Sequence, residues 1–154
     1  MYIAWCLAKN PQSKFIHLSY SDALALDNSS MTREYILSDS FQKIWNLQLK
    51  KDSQSRKKWY TTQGGGVYAT ASGGAITGFG AGNGGAIIID DPLKPDDALS
   101  DVRRSFINNR YNTTIRSRVN DRDVPIIVIM QRLHEEDLSG YLIDGNSGEQ
   151  WHHL

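Results

Sequence analysis

Ala86-Ile87-Ile88-Ile89-Asp90-Asp91-Pro92 is an unbroken aliphatic run that ends in two adjacent carboxylates and a proline. A run of β-branched residues without polar alternation is the pattern of a strand covered on both faces, as at the centre of a parallel sheet. A second run of this kind, Pro125 to Gln131 (PIIVIMQ), is expected to be another central strand. Between the two, Asp96 to about Arg118 reads as helical, with Pro95 and Asp96 as start signals. Glu135 to Ile143 supplies a further helix. Strands alternating with helices imply an α/β, doubly wound architecture with a mostly parallel central sheet flanked by helices.

Upstream, Lys14 to Tyr20 (KFIHLSY) reads as a buried strand after the Asn10-Pro11 break. Ser21 and Asp22 are placed to cap a helix running to about Met31. Asp39 or Ser40 caps a second helical stretch to about Leu49, with Phe41, Ile44, Trp45 and Leu49 spaced for one apolar face. A polar, basic stretch from Lys50 to Lys58 follows. Short strands at Trp59–Thr62 and Val67–Ala71 flank Gly64-Gly65-Gly66, and Gly73 to Gly85 is again glycine-rich. The opening MYIAWCLAKNP reads as the later turns of a helix, and the closing GEQWHHL as a strand just beginning, so truncation at both ends is expected.

The chain has 154 residues and a hydrophobic content of 40%, within the range of one globular domain spanning 1–154. Its 17 basic and 17 acidic residues cancel, so any binding of nucleic acid must be local. The single cysteine, Cys6, cannot form an internal disulfide and reads as a small apolar side chain. No apolar run approaches the ~18 residues of a membrane span, and the N-terminus lacks a signal-peptide pattern, so a soluble intracellular protein is expected.

The two carboxylates carry the strongest chemical signal, because ligands of open parallel sheets bind at the carboxyl ends of strands. Asp90 is a candidate Mg²⁺ carboxylate, acting mostly through water, and Asp91 a candidate to orient or deprotonate a water attacking a γ-phosphate. Adjacent strand residues face opposite ways, so two roles fit the pair. The plainer alternative is an acidic pair that ends the strand and starts a turn at Pro92. Gln131 and Arg132, at the end of the second run, would share the same rim. Gln131 either senses the phosphate or satisfies loop backbone; Arg132 either contacts phosphate or pairs with Glu135 or Glu136.

The phosphate loop GxxxxGK[ST] is missing, since no Gly-Lys pair occurs in the chain. Gly80, Gly82 and Gly85 fit GxGxxG, but they precede a strand instead of linking a strand to a helix. Two basic clusters, one from Lys50, Lys51, Arg56, Lys57 and Lys58 and one from Arg103, Arg104, Arg110, Arg116 and Arg118, are either solvated faces or contacts to DNA phosphates. The histidines show no metal-ligand spacing. Asp90, Asp91, Asp96, Asp97 and Asp101 form an alternative two-metal nuclease cluster, although helical spacing spreads them over several faces.

GGAIIIDDPLKPDDALSDVRR followed by PIIVIMQRLHEEDLSGYL resembles the tailed-phage terminase large subunits. KFIHLSYSDALA and GGGVYATASGGAITGFGAG extend the similarity over nearly the whole chain. The resemblance implies a P-loop NTPase-like ATPase domain that packages viral DNA into procapsids, with ATP and Mg²⁺ as cofactors. It also implies double-stranded DNA, the portal protein and the small terminase subunit as partners, in the cytoplasm of the bacterial host. By position, Asp90 matches the metal carboxylate, Asp91 the catalytic carboxylate and the region of Gln131 the motif that couples hydrolysis to movement. Asp91 stands where many relatives carry Glu, and Phe79 where many carry Arg. Without the phosphate loop, weak or no nucleotide binding and negligible ATPase activity are expected of this chain. Exposed apolar sheet surface implies self-association, and the alternative is a non-catalytic prophage remnant or assembly module.

Overall fold

A computed structural model describes the backbone of residues 1–154 and the side chains of all but Ser53 and Gln54. One six-stranded sheet runs in the order β2-β3-β4-β1-β5-β6. Its strands are β1 (Lys14–Ser19), β2 (Leu49–Gln54), β3 (Lys58–Thr61), β4 (Gly66–Ala71), β5 (Ile87–Asp90) and β6 (Ile126–Ile129). Strands β4, β1, β5 and β6 are parallel to one another, while β3 pairs antiparallel with β4 and β2 antiparallel with β3. The sheet is therefore mixed, because the Gly64-Gly65-Gly66 turn makes β3 and β4 a hairpin. The basic stretch, to which the sequence reading assigned no element, supplies most of β2.

Helices α1 (Tyr2–Lys9), α2 (Asp22–Leu37) and α3 (Asp39–Trp45) belong to one face of the sheet, where Phe15, Trp59, Val67 and Ile88 are buried with Leu7 and Ile36. The other face buries Ile16, Leu18, Ile87 and Ile89 against Ile107, Tyr111, Ile115 and Leu138. The alternation of Ile87, Ile88 and Ile89 between these two cores explains why β5 needs no polar position.

Several boundaries differ from the sequence reading, each for a local reason. Helix α2 begins where expected, with Ser21 Oγ accepting from Leu24 N at 3.3 Å, but continues to Leu37. Ser38, not Asp39 or Ser40, caps α3, and Asn46 ends it with a left-handed backbone at φ 43°. That early stop leaves Ile44 74% exposed and hands Leu49 to β2. The long helix expected from Asp96 is split into α4 (Pro95–Ala98), α5 (Asp101–Arg110), a π-helical turn at Tyr111–Ile115 and a 3-10 turn at Arg116–Arg118. Ser100 restarts the chain as the N-cap of α5, accepting from Arg103 N at 3.4 Å. Helix α6 (Leu138–Ile143) starts three residues later than expected because Asp137 caps it. The closing segment, expected to start a strand, has no regular structure; Trp151 packs edge-on against Tyr111 with ring centroids 5.9 Å apart.

The main departure is β6. Expected as a central strand, it lies at the sheet edge, paired only with β5, and Ile129 is 54% exposed. No described helix is long and apolar enough to cross a membrane.

Candidate functional site

The parallel register carries Asp90 to the carboxyl rim, where it pairs with Ile129 at the end of β6. Asp91 N donates to Ile129 O at 2.8 Å, and Asp91 O accepts from Tyr20 N at 2.9 Å. The ends of β1, β5 and β6 are thereby tied together at the acidic pair. Strand alternation stops here: Asp91 has φ 45°, a left-handed conformation that Asp tolerates better than most residues. Its exposed carboxylate is directed by that backbone turn and not by the pleat, and it has no partner among the described residues.

Asp90 projects to the α2 side of the sheet. Its Oδ2 accepts a hydrogen bond from Asn28 Nδ2 at 3.4 Å and lies 3.6 Å from His17 Nε2. His17 is nearly buried, whereas the Asp90 side chain keeps 32% exposure. Burial pushes the His17 imidazole below its ordinary value of 6.5, and the neighbouring Asp90 carboxylate only partly offsets this. The three groups open onto a cavity of about 700 Å³ whose other walls include Met31, Tyr35, Ile88 and Ile127. Sequence reasoning did not single out His17 or Asn28. The one available signal was a histidine inside an otherwise apolar strand, KFIHLS.

Gln131 and Arg132 follow β6 on the same rim. Gln131 is exposed, and its amide has no hydrogen bond among the described residues. Arg132 turns back on its own loop: Nε donates to His134 O at 3.1 Å and Nη2 to Glu135 O at 3.0 Å, while Nε lies 3.6 Å from Asp137 Oδ1. Its carboxylate partner is thus Asp137, not Glu135 or Glu136.

Asp137, also missed, is fully buried. Oδ2 accepts from Leu133 N at 2.8 Å and His134 N at 3.2 Å; Oδ1 accepts from Ser139 Oγ at 2.7 Å and Gly140 N at 3.0 Å. Burial alone would raise its pKa, but these bonds outweigh it and hold the carboxyl below its ordinary value. Its place at the end of HEED, directly before Leu-Ser-Gly, carried the cap signal.

No family model matches this chain. No curated protein matches it either.

The chemistry available at the rim is bounded by what gathers there. Among the described residues, no three His, Cys, Asp or Glu side chains form a metal-holding group. Asp101 accepts from Arg104, which also donates to Glu136, and the five aspartates form no metal-holding group among the described residues. A single half-exposed carboxylate such as Asp90 suits Mg²⁺, which retains several waters and takes one or two protein carboxylates. A triphosphate does not fit the same cavity, which no Lys or Arg lines. In the second basic cluster, Arg104, Arg110 and Arg116 are held by protein groups: Ala98 O, Gly74 O and Ser147 O respectively.

Proposed function

We propose that this chain is the part of a tailed-phage terminase ATPase core that carries the metal carboxylate and the coupling segment, within a P-loop NTPase-like sheet. The observation that carries this reading is the placement of Asp90-Asp91 at the carboxyl end of buried β5, hydrogen-bonded to the end of β6 from which Gln131 follows. The four parallel strands and the motif resemblance support it.

In this reading Asp90 supplies one carboxylate to hydrated Mg²⁺, which when bound contributes charge neutralisation at phosphate. Asp91 orients water at the rim, and Gln131 reads the state of the site. Arg132 braces the loop through Asp137 and does not serve as a phosphate contact. Packaging of double-stranded DNA, with the portal protein and the small terminase subunit as partners in the host cytoplasm, belongs to the same reading.

Because the cavity beside Asp90 has no cationic wall, the chain by itself should show no Mg²⁺-dependent ATP hydrolysis. The test compares it with a chain extended by any in-frame upstream segment carrying GxxxxGK[ST], with and without Asp91→Asn. Activity only in the extended form, abolished by Asp91→Asn, supports the proposal. Activity in the short chain, or silence in both, sinks it. The half-exposed edge of β6 favours one second reading, an assembly module that self-associates through this edge, which sedimentation would reveal as a dimer disrupted by Ile129→Lys.

A further inference from the structure

A cleft of about 360 Å³ lies at the opposite end of the parallel strands, lined by Lys14, Tyr60, Gly78–Gly80, Ser117, Arg118 and Asn120. Lys14 opens β1, whereas Asp90 closes the neighbouring β5, so the length of a strand separates the two places. At about 3.3 Å per residue this is roughly 16 Å.

Three independent features make the cleft a place for an anion. Neither Lys14 nor Arg118 has a carboxylate partner among the described residues, and Arg118 Nε is buried with no acceptor. The backbone N–H groups of Gly78, Phe79 and Gly80 also lack acceptors among the described residues. Successive free N–H groups in a loop with a left-handed turn, here Gly78 at φ 64°, form an anion-binding concavity. Two more cations border it, with Lys50 Nζ 5.8 Å and Lys58 Nζ 5.6 Å from the Tyr60 ring centre. The bordering acid, Asp121, accepts from Asn83 N at 3.3 Å.

The walls are aromatic as well as cationic. Tyr60 is half-buried, and its ring centre is 6.0 Å from that of Phe79, which stacks on Tyr68 at 5.8 Å. A simple inorganic anion would use the cations and N–H groups and leave this aromatic surface idle. Rings beside cations and amides are the combination that binds nucleotides, the base on the aromatic face and the phosphate on the charges.

We propose that this cleft binds a nucleotide, its phosphate held by Lys14, Arg118 and the Gly78–Gly80 amides and its base against Tyr60. The nucleotide is either free or part of a single strand. The site is independent of the reading of Asp90 and Asp91.

The test titrates the full chain with AMP and, separately, with a labelled oligothymidylate about ten nucleotides long, at about 50 mM salt. Binding of either is expected to weaken about tenfold or more in Lys14→Gln/Arg118→Gln and in Tyr60→Leu, and to be unchanged in Lys43→Gln. For the oligomer, the double substitution should also lower the slope of log affinity against log salt by about 0.7, the change expected when one phosphate ceases to be neutralised. Oligomer binding well above that of AMP assigns the cleft to a strand; equal binding assigns it to a free nucleotide. If Arg118→Gln alters the circular dichroism, Lys14→Gln and Lys58→Gln, at positions that are not buried, carry the test alone. Binding of neither ligand below about 1 mM, or binding indifferent to these substitutions in folded protein, overturns the proposal.

Discussion

Replacing Asp137 with alanine should cost the protein about 3 kcal/mol of stability. Roughly 1–3 kcal/mol of this is the N-cap bond of α6 itself, because Gly140 N is buried and would lose its acceptor. The amides of Leu133 and His134 lie closer to solvent, and water can replace part of their bonding. Asp137→Asn keeps one oxygen for Gly140 and should cost only about 1 kcal/mol. Urea unfolding at neutral pH, with the dependence on denaturant unchanged, gives both values. The carboxyl has a lower pKa in the folded than in the unfolded chain, so its contribution is complete above the ordinary value of 3.8 and is lost as pH falls through the folded value. The difference between wild type and Asp137→Asn should therefore shrink in strong acid. A cost below about 1 kcal/mol for Asp137→Ala, or equal costs for Ala and Asn, would refute the assignment of this side chain as the centre of the loop.

His17 has the same sign from a different cause, since burial lowers its folded pKa below the unfolded value. Stability should be level above pH 6.5 and decline as pH falls through the folded value, and His17→Gln should flatten that part of a urea-derived stability profile. Gly85→Ala places a methyl group 2.0 Å from Lys14 O and 2.6 Å from Lys14 C, which β1 cannot accommodate without moving. It should cost about 3 kcal/mol or more, against about 1–2 for Gly64→Ala, where φ is positive but the space is open; thermal melts reversing that order would contradict the β1 packing described above.

The fold was legible where hydrophobic runs are continuous. IIID and KFIHLS announce buried strands because neither face needs a polar residue, and the Gly64-Gly65-Gly66 hairpin announces itself by its turn chemistry. IIVI reads identically yet forms an edge, because composition reports the faces of a strand and not whether both of its backbone sides are paired. Helix ends were missed where a single cap decides them, as at Ser38, Ser100 and Asp137. At the candidate site, Asp90 and Asp91 could be found because two acids ending an apolar run are conspicuous. His17 and Asn28 could not, since their meeting with Asp90 depends on β1 pairing with β5 and α2 crossing above it. Arg132 was ambiguous because sequence proximity favoured Glu135 and Glu136, whereas the buried neighbour is Asp137.

The central position of β1 has a consequence for how this protein forms. Its two sheet neighbours, β4 and β5, are reached only at Gly66 and Ile87, so an early segment of the chain must wait for later ones before its backbone is paired. Contacts so distant in sequence make folding slow relative to a helical protein of this size. During synthesis at roughly 5–20 residues per second, the interval between completion of β1 and arrival of β5 is roughly 4 to 14 s. For that time KFIHLS lacks at least one of its two sheet neighbours, and it is the segment a chaperone would be expected to hold first.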